Sequence, residues 1–212
     1  MEVTTKNRLL DAGLAMLLAE GYNHLGIQAL LEATNTPKGS FYHHFKSKED
    51  FALQVVDRYM VSAHMGLDAC LLDASIPPLR RVRNFFEATR ESYRSEGLLG
   101  CLLGGLGQEL SGISETFRKR IETCLGEIAS RLAICLQLAI DQGDLPKGTD
   151  ARHLANLLVD CWEGAALRTR LTRDAAPLGA MLDFYFQAVP RVKRSSGAPA
   201  ARRRAAPRRR RS

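Results

Sequence analysis

The chain has 212 residues, of which 45% are hydrophobic and 25% are charged, a composition typical of a soluble globular protein. Its N-terminus has no apolar signal segment, and its longest uncharged stretch, residues 97–108, is too short to cross a membrane, so a cytoplasmic protein without a membrane partner is expected. The formal net charge of +7 comes from residues 191–212, which hold ten Lys or Arg residues and no acid, so the charge does not by itself indicate a folded nucleic-acid-binding domain.

Apolar residues recur with the helical period along almost the whole chain, which predicts an all-α protein. The first helix is expected over about residues 5–20 and is ended by Gly21. The glycine-rich residues 98–111 predict a short, bent or broken helix, because each mid-helix glycine costs about 1 kcal/mol relative to alanine. The other helices are expected over about residues 27–31, 37–45, 47–63, 78–95, 114–142, 150–171 and 175–189.

Two short predicted helices joined by a tight link at residues 33–35 indicate a helix-turn-helix. Asn35 is one of the few non-glycine residue types that tolerate a left-handed turn conformation. Thr36 is expected to cap the second helix, the recognition helix, and Pro37 is expected to occupy its first position. The start of the recognition helix is thus predicted from local chemistry alone.

A helical wheel gives the recognition helix two different faces. Phe41 and Phe45 lie on the inward side, with His44 nearer to them than to the outward side. The outward face with its flanks contains Gly39, Tyr42, His43, Lys38 and Ser40. An outward glycine lets a helix backbone approach a DNA groove, and the helix N-terminus offers N–H groups to phosphate. The alternative is a solvated helix end, and no metal site is expected because adjacent histidines do not face each other on a helix.

Residues 36–49 resemble the recognition helix and fourth-helix start of the TetR (tetracycline-repressor) family, and the first helix matches the opening of the same family. The resemblance implies a homodimeric regulator that binds a palindromic operator in double-stranded DNA. It implies DNA contacts from Thr36, Lys38, Gly39, Ser40, Tyr42, His43, His44 and Lys48. A cation at a helix start is disfavoured by the dipole, so Lys48 suggests an anion in front of it.

Residues 100–110 and 162–170 resemble the branch of this family that contains the repressors of N-ethylmaleimide reductase and of acrylate utilisation. The resemblance implies that Cys101 senses electrophiles, with Arg170 near the position of an assisting lysine and Trp162 in the same motif. A sensing Cys101 needs access and thiolate character, which nearby arginines could supply. Alternatively, Cys101 and Trp162 are packing residues of the core.

The last two predicted helices carry the same apolar stripe, which favours a four-helix interface between two copies of the chain. The expected interface residues are Leu154, Leu158, Cys161, Ala165, Leu178, Met181, Leu182 and Tyr185. Such a dimer would present two recognition helices to successive major grooves, about 34–36 Å apart or a multiple of this distance. The alternative is that both stripes pack inside one chain.

These expectations describe a repressor with a helix-turn-helix domain (residues 1–48), a helical ligand-binding and dimerisation domain (49–190), and a disordered Arg-rich tail (191–212). The tail either adds DNA affinity or acts as a solubilising extension. A small electrophilic or unsaturated inducer would release the operator; the alternative is a non-covalent hydrophobic or carboxylate ligand without cysteine sensing. No nucleophile–base pair is recognisable in the sequence, so no enzymatic activity and no cofactor are expected. The five cysteines lack the spacing of a zinc site, so no metal is expected.

Overall fold

The structure, a computed structural model, describes residues 4–95, 97 and 100–189. Within these ranges the chain forms nine helices and no strand, which confirms the predicted all-α class. The helices are α1 (Thr5–His24), α2 (Ile27–Ala33), α3 (Lys38–His44), α4 (Lys48–Leu71), α5 (Pro78–Ser95), α6 (Leu102–Leu110), α7 (Glu115–Asp141), α8 (Ala151–Thr172) and α9 (Ala176–Ala188). The predicted disordered tail, residues 191–212, lies outside the described residues.

Short polar side chains fix where two of the long helices begin. Ser47 Oγ accepts a hydrogen bond from the Asp50 amide (3.0 Å) at the start of α4. Ser114 Oγ accepts one from the Phe117 amide (3.3 Å) at the start of α7. Each bond satisfies an amide that the first helical turn leaves unpaired. Gly21 ends the regular part of α1, because its φ of 81° is a left-handed conformation that glycine adopts easily.

The start of the recognition helix α3 differs from the prediction. Pro37 occupies the N-cap position, and no side chain caps the helix. The Thr36 hydroxyl donates instead to the Thr34 carbonyl oxygen (3.2 Å), and the Thr36 side chain is buried. The predicted capping by Thr36 is therefore wrong, because its hydroxyl completes the preceding turn. Asn35 has a φ of 47°, in agreement with the left-handed conformation predicted for it.

Two clusters of buried side chains organise the chain. One joins α1–α3 and the first half of α4 to α6 and the start of α7. The other joins the second half of α4 to α5, α7, α8 and α9. Helix α4 belongs to both clusters, since Phe51 and Val55 lie in the first and Leu67 and Leu71 in the second. We call α1–α3 the head and α5–α9 the body; the division at residue 48 stays a prediction.

Helix α7 is the central helix of the body. Among the described helices it is the one long and apolar enough to cross a membrane. In the fold, however, it packs against α4, α5, α6 and α8, and Phe117, Leu132 and Leu136 are buried there. Its apolar surface is therefore that of a core helix.

The predicted apolar stripes of α8 and α9 face the body. Seven of the eight predicted interface residues are buried or half-buried within the single chain, namely Leu154, Leu158, Ala165, Leu178, Met181, Leu182 and Tyr185. The Tyr185 hydroxyl donates to the Leu154 carbonyl oxygen (2.8 Å), which ties α9 to α8. Five of these seven are buried in the core of their own chain, so the stripes attach α8 and α9 to the body: Leu158, Ala165, Leu178, Leu182 and Tyr185. Leu154 and Met181 are half-buried at the edge of this core, and their place in a dimer interface stays a prediction. Cys161 is exposed.

A second apolar face of α8 and α9 points to solvent. Leu171 of α8 and Phe184 of α9 are 66% and 74% exposed. Leu157, Cys161 and Gly164 are also exposed and share the face of Leu171, because steps of three, four and seven residues keep the same side of a helix. We call these five residues the outer strip. An exposed apolar face of this kind marks an interaction surface.

Candidate DNA-binding surface and ligand cavity

The recognition helix α3 rests on three aromatic rings. Phe41 and Phe45 are buried, and their ring centres lie 5.1 Å apart. Both rings contact Phe51 of α4, at centre distances of 5.4 and 4.9 Å. Because aromatic rings contribute large buried areas with defined geometry, these contacts fix which side of α3 faces outward.

The opposite side of α3 is open to solvent. Tyr42 is 54% exposed, and Lys38 and His43 are exposed beside it. A Cβ atom placed on Gly39 would meet no atom within 4 Å. The predicted outward placement of Gly39, Tyr42 and His43 is therefore what the structure has, while their contacts with DNA stay predictions.

The other predicted DNA-contacting residues are less accessible. Ser40 and His44 are half-buried at the edges of the α3 face, and Thr36 is buried. The Lys48 ammonium lies 4.6 Å from the centre of the Tyr22 ring, and partial burial lowers the pKa of Lys48. A cation–π contact stabilises an ammonium group, so the Tyr22 ring supports Lys48 at this helix start, and the charge of Glu109 also acts on Lys48. Contact of Lys48 with a DNA phosphate stays a prediction.

Glu109 of α6 holds the end of α1 in place. Its carboxylate accepts hydrogen bonds from the backbone amides of Tyr22 (2.8 Å) and Asn23 (2.6 Å). Gly21 makes this approach possible, since a Cβ atom there would lie 2.7 Å from Glu109 Oε2. Hydrogen bonds to a charged acceptor are stronger than neutral ones, so Glu109 is a firm link between body and head. Sequence analysis did not identify it, because its partners are backbone groups distant in the chain.

Two further contacts join the head and α4 to the body. Arg170 of α8 donates to the Ala19 carbonyl oxygen of α1 (3.3 Å). The Ser114 hydroxyl at the start of α7 donates to the Glu49 carboxylate of α4 (2.8 Å). Arg170, predicted as a ligand-sensing residue, is thus also a head–body contact.

Two cavities meet at Cys101. The larger, about 470 Å³, lies between α6 and α8, and its lining includes Gly104, Glu163 and Arg170. The smaller, about 120 Å³, lies between α1 and α6, and its lining includes Glu109 and Arg170. Cys101 and Arg170 line both. We call the larger one the Cys101 cavity; its volume suits a small organic ligand.

A wider depression of about 700 Å³ lies on the outside of α4 and α7, with His64, Glu127 and Arg152 in its lining. His64 Nε2 lies 3.3 Å from a Glu127 carboxylate oxygen. This open, charged surface lacks the enclosing apolar walls of a ligand site, so the Cys101 cavity is the better candidate.

The surroundings of Cys101 favour the protonated thiol. Burial and, second, the charge of Glu163 raise the pKa of Cys101 to about 12. The Tyr59 hydroxyl lies 3.8 Å from Cys101 Sγ. Arg170 donates to the backbone of α1 and is not among the largest causes of the shift in the Cys101 pKa. Burial and Glu163 therefore disfavour the thiolate that a sensing Cys101 needs, and sensing by Cys101 stays a prediction.

Trp162 is a packing residue of the body. Its side chain is buried, and its ring centre lies 4.8 Å from Phe86 and 5.9 Å from Tyr93. The structure therefore agrees with the alternative expectation for Trp162, in which it packs in the core and does not sense a ligand.

Glu163 is a residue of this cavity that sequence analysis did not select. Burial raises its pKa to about 7. A methyl group on Gly104 would collide with Glu163 Oε2, so α6 needs glycine where the carboxylate lies against it. The signal in the sequence is an acidic residue inside the otherwise uncharged run 161–167, because a carboxylate is rarely placed on an apolar helix face without a partner.

Both halves of the chain match known protein families. Residues 9–55 match the family described as bacterial regulatory proteins, tetR family. Residues 78–185 match the tetracyclin repressor-like C-terminal domain. The first match spans the head and the start of α4, and the second covers most of the body.

Individual proteins are similar over nearly the whole chain. The HTH-type transcriptional repressor DhaR of Mycobacterium sp. strain GP1 is 32% identical, covering 87% of this chain and 91% of its own. The transcriptional regulator AcuR of Cereibacter sphaeroides is 37% identical, with 80% and 78% covered. The crystal structure of reduced Escherichia coli NemR superposes with a TM-score of 0.79 at 26% identity, covering 89% of this chain and 98% of that one.

Proposed function

This chain belongs to the tetR family of bacterial regulatory proteins, and we propose that it is a repressor that leaves a palindromic operator when a small molecule occupies the Cys101 cavity. Regulators of this family bind DNA operators and small-molecule ligands and act as dimers. The observation that carries the DNA-binding part is the exposed face of α3, where Gly39 leaves the backbone open and Tyr42 projects beside it.

The outer strip is the surface through which two copies associate. Leu171 and Phe184 are the most exposed apolar side chains of the strip, and Gly164 has open space around it. Burying such a face against its own copy removes apolar area from water and gives a twofold interface. The two α3 helices then read successive major grooves.

The inducer is a small electrophilic or unsaturated compound that adds to Cys101. A second candidate, favoured by the high pKa of Cys101, is a non-covalent ligand whose carboxylate binds Arg170, since arginine matches carboxylate geometry. Both candidates act in the same cavity and differ in whether the sulfur forms a bond.

Ligand binding is transmitted through α6 and α8. Cys101 immediately precedes α6, and Glu109 near the other end of the same helix holds the amides of Tyr22 and Asn23. A shift of α6 therefore moves the end of α1. Because a coupling of a few kcal/mol changes operator affinity by orders of magnitude, small shifts suffice.

The DNA-binding part is tested by selecting duplexes from a random-sequence library with the full-length protein. Enrichment of a palindromic site is expected, and Tyr42→Ala should lose its affinity. Val61→Ala, an exposed apolar position on α4, is the matched control and should bind normally. Failure to enrich any palindrome would contradict the proposal.

The ligand part is tested by releasing the selected duplex with N-ethylmaleimide or with acrylate. Release by N-ethylmaleimide that Cys101→Ser abolishes supports the covalent inducer. Release by acrylate that persists in Cys101→Ser and disappears in Arg170→Gln supports the carboxylate ligand. If neither compound releases DNA, the inducer proposal fails for both classes while the DNA-binding part stands.

A further inference from the structure

Polar side chains from four segments of the chain lie near Cys101. Tyr59 comes from α4, Tyr93 from α5, Cys101 from the residue before α6, and Glu163 from α8. The Tyr59 hydroxyl lies 3.8 Å from Cys101 Sγ, and the Glu163 carboxylate lines the same cavity as Cys101. The sulfur therefore lies in a buried cluster with a phenol and a carboxylate nearby, and the charge of Glu163 helps to raise the pKa of Cys101.

No cation neutralises this cluster among the residues that the structure describes. Glu163 takes part in none of the ion pairs found there. Arg170, which lines the same cavity, is held by the Ala19 carbonyl oxygen, and Arg173 lines it near the end of α8. Glu163 is thus a charge that raises the pKa of Cys101 without an ion-pair partner in the described part of the chain.

The fit of α6 against α8 enforces the proximity. Gly104 lies one turn into α6, and a Cβ atom there would contact both Glu163 Oε2 and, at 3.9 Å, Cys101 Cβ. The carboxylate therefore occupies space that any other residue at position 104 would fill. The close approach of α6 to α8 at Gly104 therefore leaves room for the carboxylate near the thiol.

We infer that Glu163 restrains Cys101: its carboxylate keeps the thiol protonated, and Cys101 becomes reactive when that carboxylate is neutralised by a proton or by a cationic ligand group. This inference rests on the proposed ligand role of the Cys101 cavity. The cavity would then select among electrophiles. Cys101 would react slowly with compounds that leave Glu163 charged and faster with compounds that neutralise it.

The physical reason is the repulsion between two negative charges. The thiolate is the nucleophile in alkylation, and a carboxylate close to the sulfur disfavours its formation. The opposite role, a general base that accelerates the reaction, would require Glu163 to take the thiol proton. Burial and the charge of Glu163 both raise the pKa of Cys101, which opposes that transfer.

The reaction used as a test is addition to N-ethylmaleimide. The thiol proton passes to solvent, a sulfur–carbon bond forms as the π component of the maleimide C=C bond breaks, and the adjacent carbon takes a proton from water. No oxidant or other reactant is needed. Cys161 is exposed in the single chain but belongs to the outer strip. It therefore provides the internal reference rate between samples in the same association state, which sedimentation equilibrium checks for each sample.

The experiment compares alkylation of Cys101 and Cys161 by peptide mass spectrometry in full-length wild type, Glu163→Gln and Glu163→Asp. Glu163→Gln keeps the shape and removes the charge, and its Cys101/Cys161 rate ratio should rise on the order of tenfold, as expected for a thiol pKa lowered by about one unit. Glu163→Asp retains a carboxylate and should stay close to wild type. An unchanged ratio in Glu163→Gln would overturn the inference, and a lower one would assign Glu163 as a base.

Wild-type protein supplies a second readout that needs no variant. As pH falls from about 8 to about 6, protonation of Glu163 should raise the Cys101/Cys161 ratio, and Glu163→Gln should lose this dependence. Of the groups facing Glu163, burial raises the pKa values of Tyr59 and Tyr93 well above their usual range, so that both stay neutral. Arg170 and Arg173 are the cations in the lining of the same cavity. A ratio that does not change with pH contradicts the inference.

These outcomes are separable from those of the proposed function. Alkylation is measured without DNA, so it reports on Glu163 and Cys101 whether or not the operator is released. If alkylation of Cys101 leaves DNA binding intact, the covalent inducer fails while the restraint stands. If Glu163→Gln does not change the ratio, the restraint fails while operator release by acrylate can still hold.

Discussion

The recognition helix α3 and the paired helices α8 and α9 both carry an apolar side and an exposed side, but they use them differently. In α3 the two sides have opposite chemistry: buried Phe41 lies opposite exposed Gly39 and Tyr42. In α8 the exposed side is mixed: Leu171 is exposed there together with Asp160 and Arg168, while Leu158 is buried on the other side. An apolar stripe therefore identifies one buried face clearly only when the other side of the helix is polar.

The largest expected effect separates the two sides of α3. Phe41→Ala should lower the free energy of unfolding by about 3–5 kcal/mol, because it removes a fully buried ring from the aromatic platform. Tyr42→Ala should leave unfolding nearly unchanged while costing about tenfold or more in operator affinity, the size of a single DNA contact. Chemical denaturation and fluorescence anisotropy measure the two effects. If Tyr42→Ala destabilised the fold as Phe41→Ala does, the assigned faces would be incorrect.

A matched pair on α9 tests the same distinction in the body. Leu182→Ala should lower the free energy of unfolding by about 2–5 kcal/mol, as for other buried leucines. Phe184→Ala, at the exposed position of the outer strip, should leave the chain folded and weaken self-association. Denaturation at fixed concentration and sedimentation equilibrium separate the outcomes. A Phe184→Ala protein with unchanged association would remove the outer strip as the dimer surface.

Glu163 gives the stability of the body a dependence on pH. Its pKa is raised from its usual 4.5 to about 7 by burial, so the folded chain binds this proton more tightly than the unfolded chain. Its contribution should make the unfolding free energy fall as pH rises from about 4.5 to about 7, by about 3 kcal/mol. Glu163→Gln should remove that fall and be more stable than wild type above about pH 7. Denaturation across this range measures it, and parallel pH curves for the two proteins would contradict it.

The smallest effect concerns Gly39. Because a Cβ atom there meets nothing within 4 Å, Gly39→Ala should stabilise α3 by about 0.5–1 kcal/mol through helix propensity. The same methyl group should weaken operator binding severalfold if the backbone of α3 approaches the DNA. Thermal unfolding measures the change in stability, and fluorescence anisotropy measures the change in operator affinity. Gains in both stability and affinity would mean that DNA is contacted elsewhere.

The sequence predicts the head better than the body. The order of the helices and most of their ends follow from the helical repeat of apolar residues and from residues that start or end helices, such as Ser47 and Gly21. The two faces of α3 are predictable because this short helix packs against a single hydrophobic core. The role of Thr36 did not follow, because its hydroxyl could satisfy either the helix or the preceding turn, and only the folded geometry decides.

The contacts of the body were harder to predict from the sequence, for a different reason. Each helix there has neighbours on several sides, so a stripe such as Leu178 and Leu182 says that a face is covered without saying by which chain. Likewise, Cys101 and Arg170 were correctly expected in one place, since both line the Cys101 cavity. Their interaction was not predictable, because the guanidinium bonds to Ala19 and the thiol is influenced by Glu163 instead.

The position of Arg170 between the Ala19 carbonyl oxygen and the Cys101 cavity has a thermodynamic consequence. A ligand carboxylate that takes the guanidinium competes with the docked end of α1, and linkage makes this competition reciprocal. If docking of α1 favours operator binding, the ligand lowers the affinity of the protein for the operator. The operator must then lower the affinity for the ligand by the same factor. Titrating the ligand into the protein with and without its duplex would therefore yield two ratios that have to be equal.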